Sequence, residues 1–258
     1  MNAFSSPVSA DDIAATLERL RSRTPRVHCI TNAVAQTFTA NVLLALGAVP
    51  SMTVAPDEVE GFAKSADALL VNLGTLDRER RHAIPQAMAA ASLAGRPIVL
   101  DPVFVNRSEV RCAYARDLLA ERPTLLRANQ PEIESLLPGP DPTGSLAAKG
   151  IALAMTGPED LVWAGDREVR LGNGDPLLAR VTATGCAGGA VMAAFLAVEP
   201  DPLHAAAAAL SVFNIAGEIA AENARGPGTL VPELLDTLYG LEPKQIAGRL
   251  KLTGVKED

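Results

Sequence analysis

Between residues 181 and 189 the chain reads Val181-Thr182-Ala183-Thr184-Gly185-Cys186-Ala187-Gly188-Gly189. An extended segment turns through small residues and enters an Ala-rich helical run. The first N–H groups of a helix have no internal partner and carry a partial positive charge. Small side chains let a ligand approach them, so the turn is a candidate anion cradle. A thiol at that helix start is expected to titrate below its usual range. From the turn alone two readings stay open: a phosphate cradle, or a helix cap over a buried cysteine. Further polar residues stand where apolar runs end, at Thr31-Asn32, Asn72, Asp101 and Asn129.

Spacing excludes several chemistries. There is no G-x-x-x-x-G-K-[ST], no G-x-S-x-G, no H-E-x-x-H and no C-x-x-C, which removes the P-loop, the nucleophile elbow and a metal hydrolase. Gly172-Asn173-Gly174-Asp175 imitates the G-x-G-D of sugar kinases, in which the Asp opens a helix. Here Pro176 and an extended-looking 177–181 follow. Asn-Gly between short apolar runs reads as a hairpin turn instead.

The elements that must position these residues alternate through the first half. Helical periodicity covers 11–23, 32–46, 57–66, 77–94, 111–121 and 131–137, with Gly47 and Gly95 as stops. Apolar runs at 26–31, 50–54, 68–73, 97–100 and 124–128 read as strands. Such alternation predicts a mostly parallel sheet with helices on both faces. In that architecture ligands bind at the carboxyl ends of the strands. The Pro- and Gly-rich stretch 138–150 reads as a loop. Four short strands, 151–155, 161–164, 168–171 and 177–181, suggest a last parallel strand followed by antiparallel hairpins. Two Ala-rich helices and two short ones, 232–239 and 243–250, complete the chain. With no repeat and no boundary signal, residues 1–258 are expected to form a single domain.

The bulk composition agrees. Aromatics are only 3% of 258 residues and hydrophobics 48%, so the core must be aliphatic and Ala-rich. The net charge of −7 without a basic patch argues against nucleic acid. Cysteines at 29, 112 and 186 form neither a disulfide framework nor a metal-ligand spacing, which fits a reducing cytoplasm. Residues 1–10 lack both a basic and an apolar region, so no signal peptide is expected. The apolar runs 187–198 and 203–216 are short of the roughly 20 residues a membrane span needs and read as buried helices separated by Pro200 and Pro202.

Taken together, the motifs resemble the hydroxyethylthiazole kinases of thiamine salvage, which belong to the ribokinase-like superfamily. The likeness is carried by Val27-His28-Cys29-Ile30-Thr31-Asn32, Leu43-Leu44-Ala45-Leu46-Gly47-Ala48, Val71-Asn72-Leu73-Gly74-Thr75-Leu76, Val99-Leu100-Asp101-Pro102-Val103, Asn129-Gln130-Pro131-Glu132-Ile133, the 181–186 turn and Gly226-Pro227-Gly228-Thr229. It runs in order over about residues 11 to 240. The resemblance implies a ribokinase-like α/β fold and transfer of the γ-phosphate of ATP to the hydroxyl of 4-methyl-5-(2-hydroxyethyl)thiazole. It also implies Mg²⁺ and a homotrimer with active sites between subunits. Residue by residue, it places Cys186 beside the substrate hydroxyl. Met52, Asn32 and Ala183 fall to the substrate side, Arg111, Thr156 and Gly185 to ATP, and Asp101 and Glu132 to the Mg-phosphate region.

The chain departs from the family at the ATP end. Ala183 and Ala128 stand where Gly is usual. A loop Phe104-Val105-Asn106-Arg107-Ser108 replaces a Gly-rich one. The shorter 138–150 segment is expected to lack a helix. An alanine at 183 is expected to be strained if the backbone there needs positive φ. These departures keep two alternatives in view: a divergent kinase for another small alcohol, and a non-catalytic binder of a small heterocycle.

Overall fold

A computed structural model of the chain describes residues 8–256. Residues 1–7, and with them most of the segment in which no signal peptide was expected, lie outside the described residues. The strands are β1 (Arg26–Ile30), β2 (Val49–Ser51), β3 (Ala68–Asn72), β4 (Ile98–Asp101), β5 (Leu125–Asn129), β6 (Ala152–Thr156), β7 (Asp160–Ala164), β8 (Arg167–Leu171) and β9 (Leu252–Lys256). Among the described residues they form one sheet in the order β2-β1-β3-β4-β5-β6-β7-β8-β9. Pairing is parallel from β2 to β6 and antiparallel from β6 to β9. All residues of β3 and β4 are buried, as expected for parallel strands covered on both faces.

Two cores sandwich the sheet. On one face lie α1 (Ala10–Arg23), α2 (Gln36–Leu46), α8 (Thr184–Leu196), α9 (Pro202–Asn223), α10 (Pro227–Gly240) and α11 (Pro243–Arg249). On the other lie α3 (Val59–Ser65), α4 (Arg78–Leu93), α5 (Glu109–Ala120), α6 (Gln130–Leu136) and α7 (Pro142–Ala147). Local chemistry sets their ends. Ser9 and Asp12 form a capping box on α1, and Gly47 closes α2 at φ 102°. From β1 the chain moves outward through α2 to β2, then crosses to the opposite side of β1 to form β3. The helices change faces at this point, so the crevice between the carboxyl ends of β1 and β3 is the topological switch where such sheets bind ligands.

The expected α/β fold is borne out, and three local readings are corrected. Residues 177–181 are not a strand: Pro176–Arg180 is a 3-10 turn, with Asp175 accepting from Leu177 N at 2.7 Å. A capping carboxylate followed by Pro favours a helical start over an extended segment. Asn173-Gly174 is thus no hairpin turn, and Asp175 is a cap. The 138–150 segment is not all loop, because α7 forms behind the Asp141 cap. Strand β9, for which no signal was recognised, extends the sheet by pairing with β8. The apolar run at 203–216 lies in the 22-residue α9, long and apolar enough to cross a membrane by length and composition, yet its apolar window is 83% buried, so the buried-helix reading stands.

Candidate active site

Helix α8 runs beneath the switch point, and its N-terminus is the turn singled out above. Ala183 is the N-cap residue, with φ 73° and ψ −2°, so the expected left-handed backbone is present on an alanine. No side chain caps this end. The first N–H groups of α8 are therefore open to a ligand. At Gly185 an added Cβ would lie 3.1 Å from Arg127 Nη2. The missing side chain lets the helix start and the guanidinium share one small space.

Asp101 ends β4 and is fully buried. Register pairs it with Asn72 at the end of β3, and Asn72 Nδ2 donates to Asp101 Oδ2 at 2.7 Å. Arg127, in the middle of β5, lies 3.4 Å from Asp101 Oδ1. Burial pushes the Asp101 carboxyl up to about 6; Arg127 opposes this and Glu132 adds to it. Arg127 answers in kind. Burial works against its charge, but Asp101 first and Glu132 next hold it above its ordinary value. Its Nε has no hydrogen-bond partner among the described residues. A cation with an unused donor beside open helix N–H groups is suited to a phosphate.

Cys186 is buried in the first turn of α8. The expected lowering of its pKa is overturned. Burial, and then the Asp101 charge, push the thiol up to about 11, against smaller contributions from Asn72, Arg127 and Asn32. Desolvation outweighs the helix field here. Asn32 follows β1 and caps a 3-10 turn at Ala33–Ala35; its Oδ1 accepts from Thr75 Oγ1 at 2.7 Å.

Glu132 closes a capping box on α6: Oε2 accepts from Asn129 N at 3.0 Å and Oε1 from Phe104 N at 2.8 Å. Both oxygens thus hold backbone, one of them fixing the 104–108 loop. Phe104 itself is left-handed at φ 60°. Among the described residues no three His, Cys, Asp or Glu side chains converge as a metal cage. Mg²⁺ is commonly held by only one or two carboxylates together with phosphates and its own waters, and Asp101 and Glu132, both within electrostatic reach of Arg127, fit such a role.

The structure brings Asn32, Asp101, Gly185 and Cys186 together, with Glu132 in electrostatic reach. Thr156 ends β6 and pairs in register with Asn129, one strand farther along. Met52 follows β2 and packs partly buried on the α2 side of the sheet. Arg111 is committed locally: its Nη1 donates to Val103 O at 2.6 Å, bracing the loop after β4. Arg127 escaped sequence reasoning, although a lone cation in the apolar run Leu125-Leu126-Arg127-Ala128 was its signal. Asn72 was noted as a strand-end residue, but nothing in the sequence told that it bonds to both Asp101 and Gly74 N.

A mostly parallel sheet with a helix N-terminus, a buried Asp–Arg pair and polar residues at the switch point defines a ribokinase-like phosphotransferase scaffold. A ribokinase-like superfamily protein from Enterococcus faecalis superposes with a TM-score of 0.68 at 13% identity, over 96% of this chain and 100% of its own, a likeness of fold alone. The family model for the hydroxyethylthiazole kinase family matches residues 17–140 and 143–244, and the chain belongs to that family. A probable hydroxyethylthiazole kinase of Agrobacterium fabrum is 44% identical over 93% of this chain and 94% of its own length. The hydroxyethylthiazole kinase of Clavibacter sepedonicus is 46% identical over 96% and 94%. The hydroxyethylthiazole kinase structure from Pyrococcus horikoshii has a TM-score of 0.90 at 38% identity, covering 96% of this chain and all of its own.

Proposed function

We propose that this protein transfers the γ-phosphate of ATP to the hydroxyl of 4-methyl-5-(2-hydroxyethyl)thiazole, as a cytoplasmic enzyme of thiamine salvage. The observation that carries the reading is the left-handed Ala183 turn, which opens the α8 N–H groups beside Arg127 and Asp101. Phosphoryl transfer asks for positioning and charge neutralisation more than covalent chemistry. The N–H groups of Thr184, Gly185 and Cys186 and the Arg127 guanidinium take the γ-phosphate oxygens, where charge develops in the transition state. The alcohol binds toward Asn32 and Met52 with its hydroxyl beside Cys186. Its oxygen bonds to the γ-phosphorus as the bond to the β–γ bridging oxygen breaks, leaving ADP.

Cys186, pushed up to about 11, stays a thiol at neutral pH and takes no proton. The Asp101 carboxylate, at about 6, is ionised there and accepts the hydroxyl proton. Asp101 and Glu132 would hold Mg²⁺ through water when it is bound with ATP, and the ion would supply neutralisation of phosphate charge. Thr156 and Arg111 serve the nucleotide side. Exposed apolar side chains at Val34, Leu44, Val49 and Phe62, on elements near the β2 edge, support assembly into a homotrimer with sites between subunits.

Purified protein incubated with the thiazole alcohol, ATP and Mg²⁺ tests the proposal, read as alcohol-dependent ADP release beside a panel of other small alcohols. No ADP release with any alcohol sinks the kinase reading. Release with a different alcohol only would make the protein a divergent kinase, the reading that the Phe104 loop favours. Light scattering after size exclusion checks the trimer, and a monomer at assay concentration overturns it.

A further inference from the structure

Asn72 is placed unlike any other polar side chain of the site, because it touches both of its halves. It is fully buried at the end of β3. Toward the phosphate side, Nδ2 donates to Asp101 Oδ2 at 2.7 Å. That oxygen is enclosed from the helix side, since a Cβ on Gly189 of α8 would lie 3.3 Å from it. Among the described residues the only other donor to it is the Arg127 guanidinium, at 3.5 Å. Toward the acceptor side, Asn72 Oδ1 accepts from Gly74 N at 3.0 Å. Gly74 in turn lies flat against Asn32, where a Cβ would come within 2.6 Å of the Asn32 side chain. Thr75, left-handed at φ 49°, completes this turn by donating to Asn32 Oδ1.

We propose that Asn72 is a positioning residue for the transfer, one carboxamide that locks the carboxylate of the phosphate half and the Asn32 turn of the acceptor half into a single register. The inference rests on the kinase reading for its catalytic consequence only. A carboxamide is the group that can do this, because it offers a donor and an acceptor about 2 Å apart on one rigid plane. Without it, Asp101 and the 73–75 turn are free to move independently. A misplacement near 1 Å between reacting groups is worth about 100-fold in rate.

Two variants separate the halves of the role. Asn72→Asp keeps an acceptor for Gly74 N and loses the donor to Asp101. Asn72→Ser is neutral and shorter and spans neither. Two readouts are taken on the full chain. The first is kcat and KM for each substrate, normalised to folded protein by thermal melt. Positioning expects kcat down about 100-fold in both variants, with each KM within threefold of the parent. A kcat within threefold of the parent, or a loss confined to KM, overturns it. Should Asn72→Asp not fold, Asn72→Ser carries this arm. The second readout is amide hydrogen exchange of the 73–76 segment, which needs no turnover. Exchange at least tenfold faster in Asn72→Ser supports the lock, and unchanged exchange overturns it. A parent protein that releases no ADP with any alcohol removes the kinase reading, while the exchange arm still decides whether Asn72 holds the turn.

Discussion

Replacing Ala183 with glycine is expected to stabilise the protein and to leave ATP binding as tight or tighter. Ala183 stands at φ 73°, ψ −2°, the left-handed region in which an L side chain crowds its own backbone. That conformation costs roughly 1–2 kcal/mol on a non-glycine residue. Glycine removes the cost but adds unfolded-chain freedom, about 0.5–1 kcal/mol. The net expectation is a gain of about 0.5–1 kcal/mol, or about 1–4 °C in Tm for a domain of this size. Ala183→Val supplies the opposite sign, because a β-branched side chain fits this region worst. Thermal melts of the three proteins give the stability order Gly, Ala, Val, and ATP titrations in the same buffer give the affinities. An Ala183→Gly protein melting below the parent would refute the strain argument. Equal stability of the glycine and valine variants would refute it as well. A weaker ATP affinity in Ala183→Gly would mean that the turn is not where phosphate enters.

Arg127→Met leaves the buried Asp101 charge without its partner and is expected to cost about 3–5 kcal/mol, with ADP release lost. Adding Asp101→Asn should return most of the melting temperature but not the activity, and recovery of activity in the double variant would disprove the role of the pair. Burial pushes His28 from 6.5 down to about 4. Its folded-state pKa is depressed, so its contribution is whole above pH 6.5 and is lost as pH falls from 6.5 to 4, about 3 kcal/mol in all. Urea unfolding of the parent should therefore weaken across that window more than that of His28→Gln, and parallel curves would contradict the assignment. Because the Cys186 thiol is pushed up to about 11, Cys186→Ser should lose less than the roughly 100-fold expected on removing a proton acceptor. A larger loss at pH 7.5, in steady-state rates, would point to a thiolate after all.

The sequence by itself determined the alternation of apolar strands and helices, and hence the parallel sheet with its site at the strand ends. Each of those signals is local: periodicity, a glycine stop such as Gly47, a polar residue closing an apolar run such as Asn129. It also located the 181–186 turn and marked Ala183 as strained should the backbone there need positive φ, the conformation that the structure has. One miss was local: residues 177–181 look extended by composition, yet the Asp175 cap and Pro176 wind 176–180 into a 3-10 turn. The others were set by neighbours distant in the chain. Strand β9 forms only because β8 offers it an edge. Arg127 became a site residue only when β5 was laid beside β4, which brought its guanidinium to Asp101 and Gly185. Cys186 changed most. A helix start taken alone predicts a lowered thiol pKa. Only the folded protein buries that sulfur beside the Asp101 charge, and removal from water then outweighs the helix field.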